Sequence, residues 1–201
     1  MGTTLERLID GVERRSTWKN AAVAVGVTLL ANFALAGYIL PSIEARRPEA
    51  MDGGFLVMID LQPLVSAAEA YRIFDLYKPD ILGFVRLLYA VDFVIPVAFA
   101  CFFACMIGKM LRYLGAKGGW RAALLLPFAA VPFDYTENVL SLVLISLYQG
   151  GQVFPALAGV AGLATAGKFL SLGLTGLVVV VLLLRSAAKF VAAKLGGPRG
   201  A

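Results

Sequence analysis

Four long apolar stretches dominate the pattern of hydrophobic and polar positions along the chain. They cover approximately residues 20–40, 81–107, 122–148 and 153–184, and each is near or above the ~20 residues that a helix needs to cross the hydrocarbon core of a bilayer. A long, more polar loop, residues 41–80, separates the first two stretches. The pattern therefore predicts an all-α integral membrane protein, a four-transmembrane-helix bundle with one extramembrane loop.

The loop is predicted to carry a short amphipathic helix. Ser66 and Glu69 have the spacing of a capping box, in which the serine hydroxyl accepts a backbone hydrogen bond and the glutamate reaches back. The helix after them has one apolar face, formed by Ala70, Ile73, Phe74 and Tyr77. We expect Pro41 to end the first transmembrane helix and the loop helix to stop before Pro79. The apolar insertion at 53–59 is compatible with either a short strand or a re-entrant segment.

The two ends of the chain differ from the apolar middle. Residues 1–19 predict an amphipathic lead-in, with Leu5, Leu8, Ile9 and Val12 at helical spacing among charges. Residues 20–185 form the predicted transmembrane domain, and residues 186–201 a basic cytoplasmic tail. A cleavable signal peptide is the alternative for the first stretch, but an anchor is favoured because the lead-in is acidic as well as basic and the apolar run continues to Leu40.

Composition supports a membrane protein. The 201 residues are 60% hydrophobic and only 15% charged, whereas soluble domains are about 45–50% apolar. The sequence has no histidine and two cysteines, and it lacks the phosphate-binding and dinucleotide-binding glycine motifs. We therefore expect no metal and no cofactor.

The distribution of the basic residues predicts an orientation. The net charge is +5, but its residues do not form a nucleic-acid-binding patch. They concentrate before the first stretch, between the second and third, and after the fourth, at Arg7, Arg14, Arg15, Lys19, Lys109, Arg112, Lys117, Arg121, Arg185, Lys189, Lys194 and Arg199. By the positive-inside rule both termini are cytoplasmic. We expect a multi-pass protein of a bacterial inner or plasma membrane, with membrane lipid as a partner.

A polar interruption lies in the middle of the third apolar stretch. Asp134, Glu137, Asn138 and Ser141 follow one another at steps of three, one and three positions, so they share one face of a helix. Tyr135 lies beside them. Pro127 and Pro132 precede the interruption, and each removes a backbone donor, so the helix is expected to bend or unwind where Asp134 begins.

Polar residues also interrupt the second and fourth stretches. Tyr89 precedes Asp92 by three positions in the second stretch, and Thr165 precedes Lys168 by three in the fourth. Counted from the predicted helix ends, Asp92 and Lys168 lie within about two helical turns of the depth of the carboxyls in the third stretch. Pro96, four positions after Asp92, predicts a kink in the second stretch.

These positions predict one interior cluster of three carboxyls and one ammonium, and at least one carboxyl is expected to be protonated at neutral pH. The catalytic candidates are Asp134, Glu137 and Asp92. The ligand-binding candidates are Asn138, Tyr89, Tyr135, Lys168, Ser141 and Thr165. Alternatively, a Lys168–Glu137 or Lys168–Asp134 pair serves only to fix which helices are neighbours.

Three functions are compatible with such a cluster. The first is a pocket that binds or acts on a lipid-like or amine-bearing small molecule, hydrophobic or cationic. The second is an accessory subunit of a larger membrane complex. The third is a proton- or cation-coupled small transporter, for which four helices favour a homo-oligomer.

Overall fold

The computed structural model describes residues 3–195, and most of them lie in helices. The α-helices in this part of the chain are α1 (Thr4–Arg15), α2 (Trp18–Ala34), α3 (Leu40–Glu44), α4 (Ala67–Phe74), α5 (Leu82–Asp92), α6 (Ile95–Leu114), α7 (Ala130–Gln149) and α8 (Pro155–Leu195). A π-helical turn lies at Leu35–Ile39, and 3₁₀ helices lie at Pro48–Ala50, Ile59–Leu61 and Gly118–Ala129.

Four helical stretches are long and apolar enough to cross a membrane: Trp18–Glu44, Leu82–Leu114, Gly118–Gln149 and Pro155–Leu195. Each contains most of one apolar stretch seen in the sequence. The predictions of an all-α fold and of four helices of spanning length are therefore confirmed. All four stretches are longer than predicted by several residues, because polar and basic turns at their ends remain helical.

The first spanning stretch continues through Pro41, so the prediction that this proline ends the helix is wrong. A π-helical turn, Leu35–Ile39, precedes α3, and Pro41 lies in the first turn of α3. A proline is tolerated in a first turn because its missing N–H has no intrahelical partner to lose there.

The second spanning stretch is interrupted between α5 and α6, close to Pro96, where the sequence predicts a kink. The break falls at Phe93 and Val94, directly after Asp92, and Pro96 lies in the first turn of α6. The Tyr135 hydroxyl of α7 donates a hydrogen bond of 2.8 Å to the Phe93 carbonyl. A side chain of a neighbouring helix thus satisfies a backbone acceptor at the break.

The third and fourth stretches also differ from a uniform α-helix. The 3₁₀ helix Gly118–Ala129 contains Pro127 and gives way to α7 at Ala130, so the change of geometry comes four residues before Asp134. Helix α8 continues to Leu195 through most of the predicted tail, and residues 196–201 of that tail lie outside the described residues.

The loop after α3 contains a small hairpin and α4. Strand β1 (Met51–Asp52) pairs antiparallel with β2 (Phe55–Leu56), so the insertion begins with a short strand. Its turn has two glycines at positive φ, +56° at position 53 and +85° at position 54, a conformation in which glycine is unstrained.

Helix α4 begins as predicted, with the Ser66 hydroxyl accepting from the Glu69 N–H at 3.2 Å. The Glu69 carboxylate, however, binds the Arg72 guanidinium at 2.7 and 2.9 Å, and this hydrogen-bonded partner lowers the pKa of Glu69. The predicted apolar face of α4 is buried.

Two apolar clusters enclose a polar layer in the bundle. One cluster joins the loop and α4 to α5 and to the end of α7, and includes Tyr89 and Leu144. The other joins α1, α6 and the 3₁₀ helix Gly118–Ala129 to α8, and includes Leu124 and Leu182. The polar residues of α7 and α8 lie between these clusters along each helix, so the structure buries them at the middle of the bundle.

Helix α1 packs closely on α6 at Gly108, and we predict that Gly108→Ala destabilises the protein. An added Cβ would lie 2.6 Å from the Ser16 Cβ, and Ser16 is almost completely buried, with its hydroxyl within hydrogen-bond distance of the Val12 and Ala104 carbonyls. We expect a loss of about 1–3 kcal/mol, seen as a lower melting temperature of the purified protein.

Gly173→Ala is the matched control in α8. A Cβ at this position meets nothing within 4 Å, and alanine favours a helix over glycine by about 1 kcal/mol. An equal or higher melting temperature is expected for Gly173→Ala. Equal melting temperatures for the two variants would contradict the close packing of α1 on α6.

Candidate functional site

The polar stripe of α7 faces the interior of the bundle. Asp134, Glu137, Asn138 and Ser141 are all buried, and Glu137, Asn138 and Ser141 have no exposed surface. They share a face because their spacing follows the helical repeat, and this face lies against α8. A buried carboxylate requires a partner because the loss of hydration is costly.

Lys168 of α8 is that partner. Its Nζ lies 2.6 Å from Glu137 Oε2 and 3.3 Å from Asp134 Oδ1. The lysine side chain is only 9% exposed, so these ion pairs are formed largely out of contact with solvent. Lys168 thus bridges two carboxylates that lie one helical turn apart on α7.

Thr165 completes the contact between α7 and α8. Its hydroxyl donates a hydrogen bond to Glu137 Oε1, so the two oxygens of Glu137 are bound by two side chains of α8, one turn apart. Glu137 is therefore held in place between the two helices.

Asn138 connects Asp92 to the same cluster. Its Nδ2 donates to Asp92 Oδ2 at 3.0 Å and lies 3.3 Å from Asp134 Oδ2. Asp92 is the last residue of α5 and is only half-buried, in contrast to the carboxyls of α7. The predicted association of Asp92, Asp134, Glu137 and Lys168 is therefore present in the structure.

Two buried acceptors in this layer make no hydrogen bond with the described part of the chain. They are Asn138 Oδ1 and Ser141 Oγ, on adjacent positions of the polar stripe. Most buried polar atoms in proteins have a partner, and an unpaired one costs about 1–3 kcal/mol. The layer thus retains hydrogen-bonding capacity beyond its contacts with the described residues.

A small cavity adjoins the cluster. It has a volume of about 70 Å³, and Asp92, Asp134 and Lys168 contribute to its polar side. Its apolar side is formed by residues of α6, the 3₁₀ helix and α8, among them Pro96, Phe99, Phe103 and Leu172. Glu137 is absent from this lining, so only two of the three carboxyls are accessible to a molecule in the cavity.

Neither tyrosine of the sequence prediction lines this cavity. Tyr89 is fully buried within the apolar cluster that contains the loop and α4. The Tyr135 hydroxyl is bound to the Phe93 carbonyl, and Tyr135 lines a separate groove with residues of α1 and α2. Tyr135 faces a different side of α7 from its neighbour Asp134, because consecutive residues of a helix point about 100° apart.

The aromatic wall of the cavity was absent from the predicted site. Pro96, Phe99 and Phe103 follow Asp92 at four, seven and eleven positions. These steps keep all four residues on approximately one helical face, and this periodicity was the signal in the sequence. The rings of Phe99 and Phe103 are stacked with their centroids 6.2 Å apart.

Comparison of the chain with protein-family models, with curated proteins and with solved structures found no match. The chemistry of the site is therefore the basis for a functional proposal. Among residues 3–195, no group of three or more histidine, cysteine, aspartate or glutamate side chains is placed to hold a metal ion.

We predict that Lys168→Met strongly destabilises the protein. The change leaves Glu137 and Asp134 buried beside an apolar side chain, and removal of one partner of a buried ion pair costs about 3–5 kcal/mol. The melting temperature of the purified protein would fall, whereas Lys194→Met, at the exposed end of the same helix, would leave it nearly unchanged.

A second substitution tests whether the loss is electrostatic. Glu137→Gln removes one of the two stranded charges, so the double variant Lys168→Met/Glu137→Gln should recover part of the lost stability. If the double variant is less stable than Lys168→Met alone, pairing of Lys168 with Glu137 is not the source of the effect.

Proposed function

We propose that the protein binds the amine end of a small, lipid-like molecule at the carboxylate cluster. The observation that carries this proposal is the pair of carboxyls on one cavity: Asp92 and Asp134 both line it and are both bound by Asn138. An ammonium group donates several hydrogen bonds and has a positive charge, and two carboxylates on one wall complement both properties.

The charge balance of the cluster supports a cationic ligand. Among the described side chains, the cluster contains three carboxyls and the single ammonium of Lys168, which contacts Asp134 and Glu137. Glu137 is neutralised by the closer of these two contacts. Asp92 accepts its hydrogen bond from the neutral amide of Asn138. A bound amine would therefore give Asp92 a positively charged partner.

The cavity wall supports an apolar group attached to the amine. Phe99 and Phe103 line the same cavity as the carboxyls, and Phe99 is also exposed at the surface of the bundle. Aromatic faces attract cations and accept apolar groups. At about 70 Å³, the cavity accommodates the amine and its first carbons, whereas the remainder of the ligand would extend along Phe99 towards the lipid.

We place the protein in a bacterial inner or plasma membrane, with both termini cytoplasmic. The meeting of basic side chains from three segments at one end of the bundle supports this orientation. Arg112 donates to carbonyls at the end of α1, Arg121 pairs with acids of α1, and Lys189 donates to the Tyr113 carbonyl at 2.6 Å.

A proton relay is the second candidate, favoured by the half-buried position of Asp92 beside a cavity large enough for several waters. It predicts a pH-dependent proton flux in proteoliposomes between pH 5 and 8 that Asp92→Asn abolishes. Flux equal to that of protein-free liposomes at every pH in this range would contradict the relay.

The amine proposal is tested by thermal unfolding of the purified protein with hexylamine or hexan-1-ol. These probes have the same chain, but only the amine is cationic. We expect hexylamine to stabilise the folded protein by about 1.4 kcal/mol at ten times its dissociation constant, or a few degrees in melting temperature. Hexan-1-ol should have no such saturable effect.

Asp92→Asn is the informative variant because it keeps the size of the side chain and removes its charge. We expect it to abolish the effect of hexylamine. The control Asp52→Asn makes the same chemical change at an exposed position of β1 and should respond as the wild type does. Stabilisation by hexylamine that persists in Asp92→Asn would rule out this carboxylate as the amine site.

A further inference from the structure

An apolar groove of about 690 Å³ lies on the opposite side of the α5–α6 break from the carboxylate cluster. Its walls are formed mainly by α2 and α6, with small apolar residues that include Val23, Val27, Val97 and Ala98. Its lining extends along the second spanning stretch from Phe93 to Cys105, a length of about 18 Å at the α-helical rise. The size is typical of a ligand site.

The groove has a polar end at the junction of α1 and α2. Arg15, Ser16 and Asn20 line it there. The rest of the lining is apolar or aromatic, and its Tyr135 hydroxyl is already bound to the Phe93 carbonyl. This distribution matches an amphiphile with one polar head and an extended apolar chain.

A second, charged pocket of about 580 Å³ begins where the groove ends, and Ser16 lines both. It lies between α1, α6 and the 3₁₀ helix and contains four basic and two acidic residues: Arg14, Lys109, Arg112, Arg121, Asp10 and Glu13. The two pockets are neighbours that share Ser16, the first with a mainly apolar lining and the second with a charged one.

The charged pocket has an excess of positive charge. Arg121 binds both acids of the pocket, Asp10 and Glu13. Arg112 donates to the backbone carbonyls of Glu13 and Ser16, which carry no charge. Arg14, Lys109 and Arg112 form no ion pair with these acids, and the four basic and two acidic residues leave the pocket with a net charge of +2. A basic pocket at the end of a spanning bundle attracts anionic lipid head groups.

From this arrangement we infer that the protein has a binding site for one anionic phospholipid, with the phosphate in the basic pocket and one acyl chain in the groove between α2 and α6. The site shares no lining residue with the cavity at the carboxylate cluster. Contact of the chain with the apolar groove contributes to the binding of any phospholipid, whereas the charges of Arg14 and Lys109 supply the preference for an anionic head group.

The test is a lipid titration of the full-length protein in detergent, followed by native mass spectrometry. The probes are phosphatidylglycerol and phosphatidylcholine with identical acyl chains. We expect one phosphatidylglycerol to be retained per protein, with an affinity at least about tenfold above that of phosphatidylcholine. Equal retention of the two lipids by the wild type would overturn the proposal.

Substitutions separate the two halves of the site. Arg14→Gln/Lys109→Gln should remove the preference for phosphatidylglycerol, whereas Arg7→Gln/Lys117→Gln, the same charge change at exposed positions outside both pockets, should keep it. The same loss of preference in both pairs would contradict a specific head-group site.

Filling the groove should reduce the binding of both lipids. Val97→Trp and Val27→Trp place a large ring on opposite walls, on α6 and α2, so an effect common to both folded variants is an effect of the groove. Glycerol 3-phosphate, the head group without chains, should not displace bound phosphatidylglycerol at equal concentration. Displacement by it, or full lipid binding by both tryptophan variants, would show that the groove holds no acyl chain.

Alkylation of Cys101 provides a measurement without changes to the site walls. Cys101 lines the groove and is half-buried, while the other cysteine of the chain, Cys105, is buried. One equivalent of phosphatidylglycerol should slow the reaction of Cys101 with N-ethylmaleimide severalfold, and one equivalent of phosphatidylcholine should have a weaker effect. A reaction rate that neither lipid changes would argue against occupancy of the groove.

Discussion

The burial of Lys168 against two carboxylates of α7 is the constraint on which the rest of the bundle depends. An ionised group in the interior is tolerated only with close partners, so α7 and α8 must lie side by side in one register. The small residue before Lys168 permits this approach, because a Cβ at Gly167 would lie 2.7 Å from the ring of Phe133. Two apolar clusters then exclude solvent from both ends of the polar layer.

The breaks in the helices determine what surrounds that ion pair. Asp92 reaches Asn138 from the last turn of α5, and the chain resumes as α6 three residues later. The 3₁₀ helix before α7 likewise ends one turn before Asp134. Backbone irregularity thus occurs next to the polar groups on two neighbouring stretches. Such irregularity is tolerated in a spanning protein where other protein groups satisfy the freed carbonyls, as Tyr135 does for Phe93.

The number of long helices and the members of the polar cluster followed from the sequence because both depend on periodicity and hydropathy. Asp134, Glu137 and Asn138 lie on one face in any α-helix, and Lys168 was the only ammonium at a similar depth. The continuation of the first helix through Pro41 did not follow, because a π-helical turn has no simple pattern. The position of Tyr135 also depended on which face of α7 meets α8, and periodicity alone does not fix the rotation of a helix. The charged pocket arises from residues about 100 positions apart, such as Glu13 and Arg121.

Two adjacent residues of α7 line different sites: Asp134 lines the acidic cavity, and Tyr135 lines the apolar groove. A rotation of α7 about its axis moves both side chains together. Any occupant of the groove that favours one rotational state would therefore change the affinity of the cavity for its own ligand, and thermodynamic linkage requires the reverse effect to be of equal size. Lipid composition and ligand occupancy would then regulate each other through a single turn of helix.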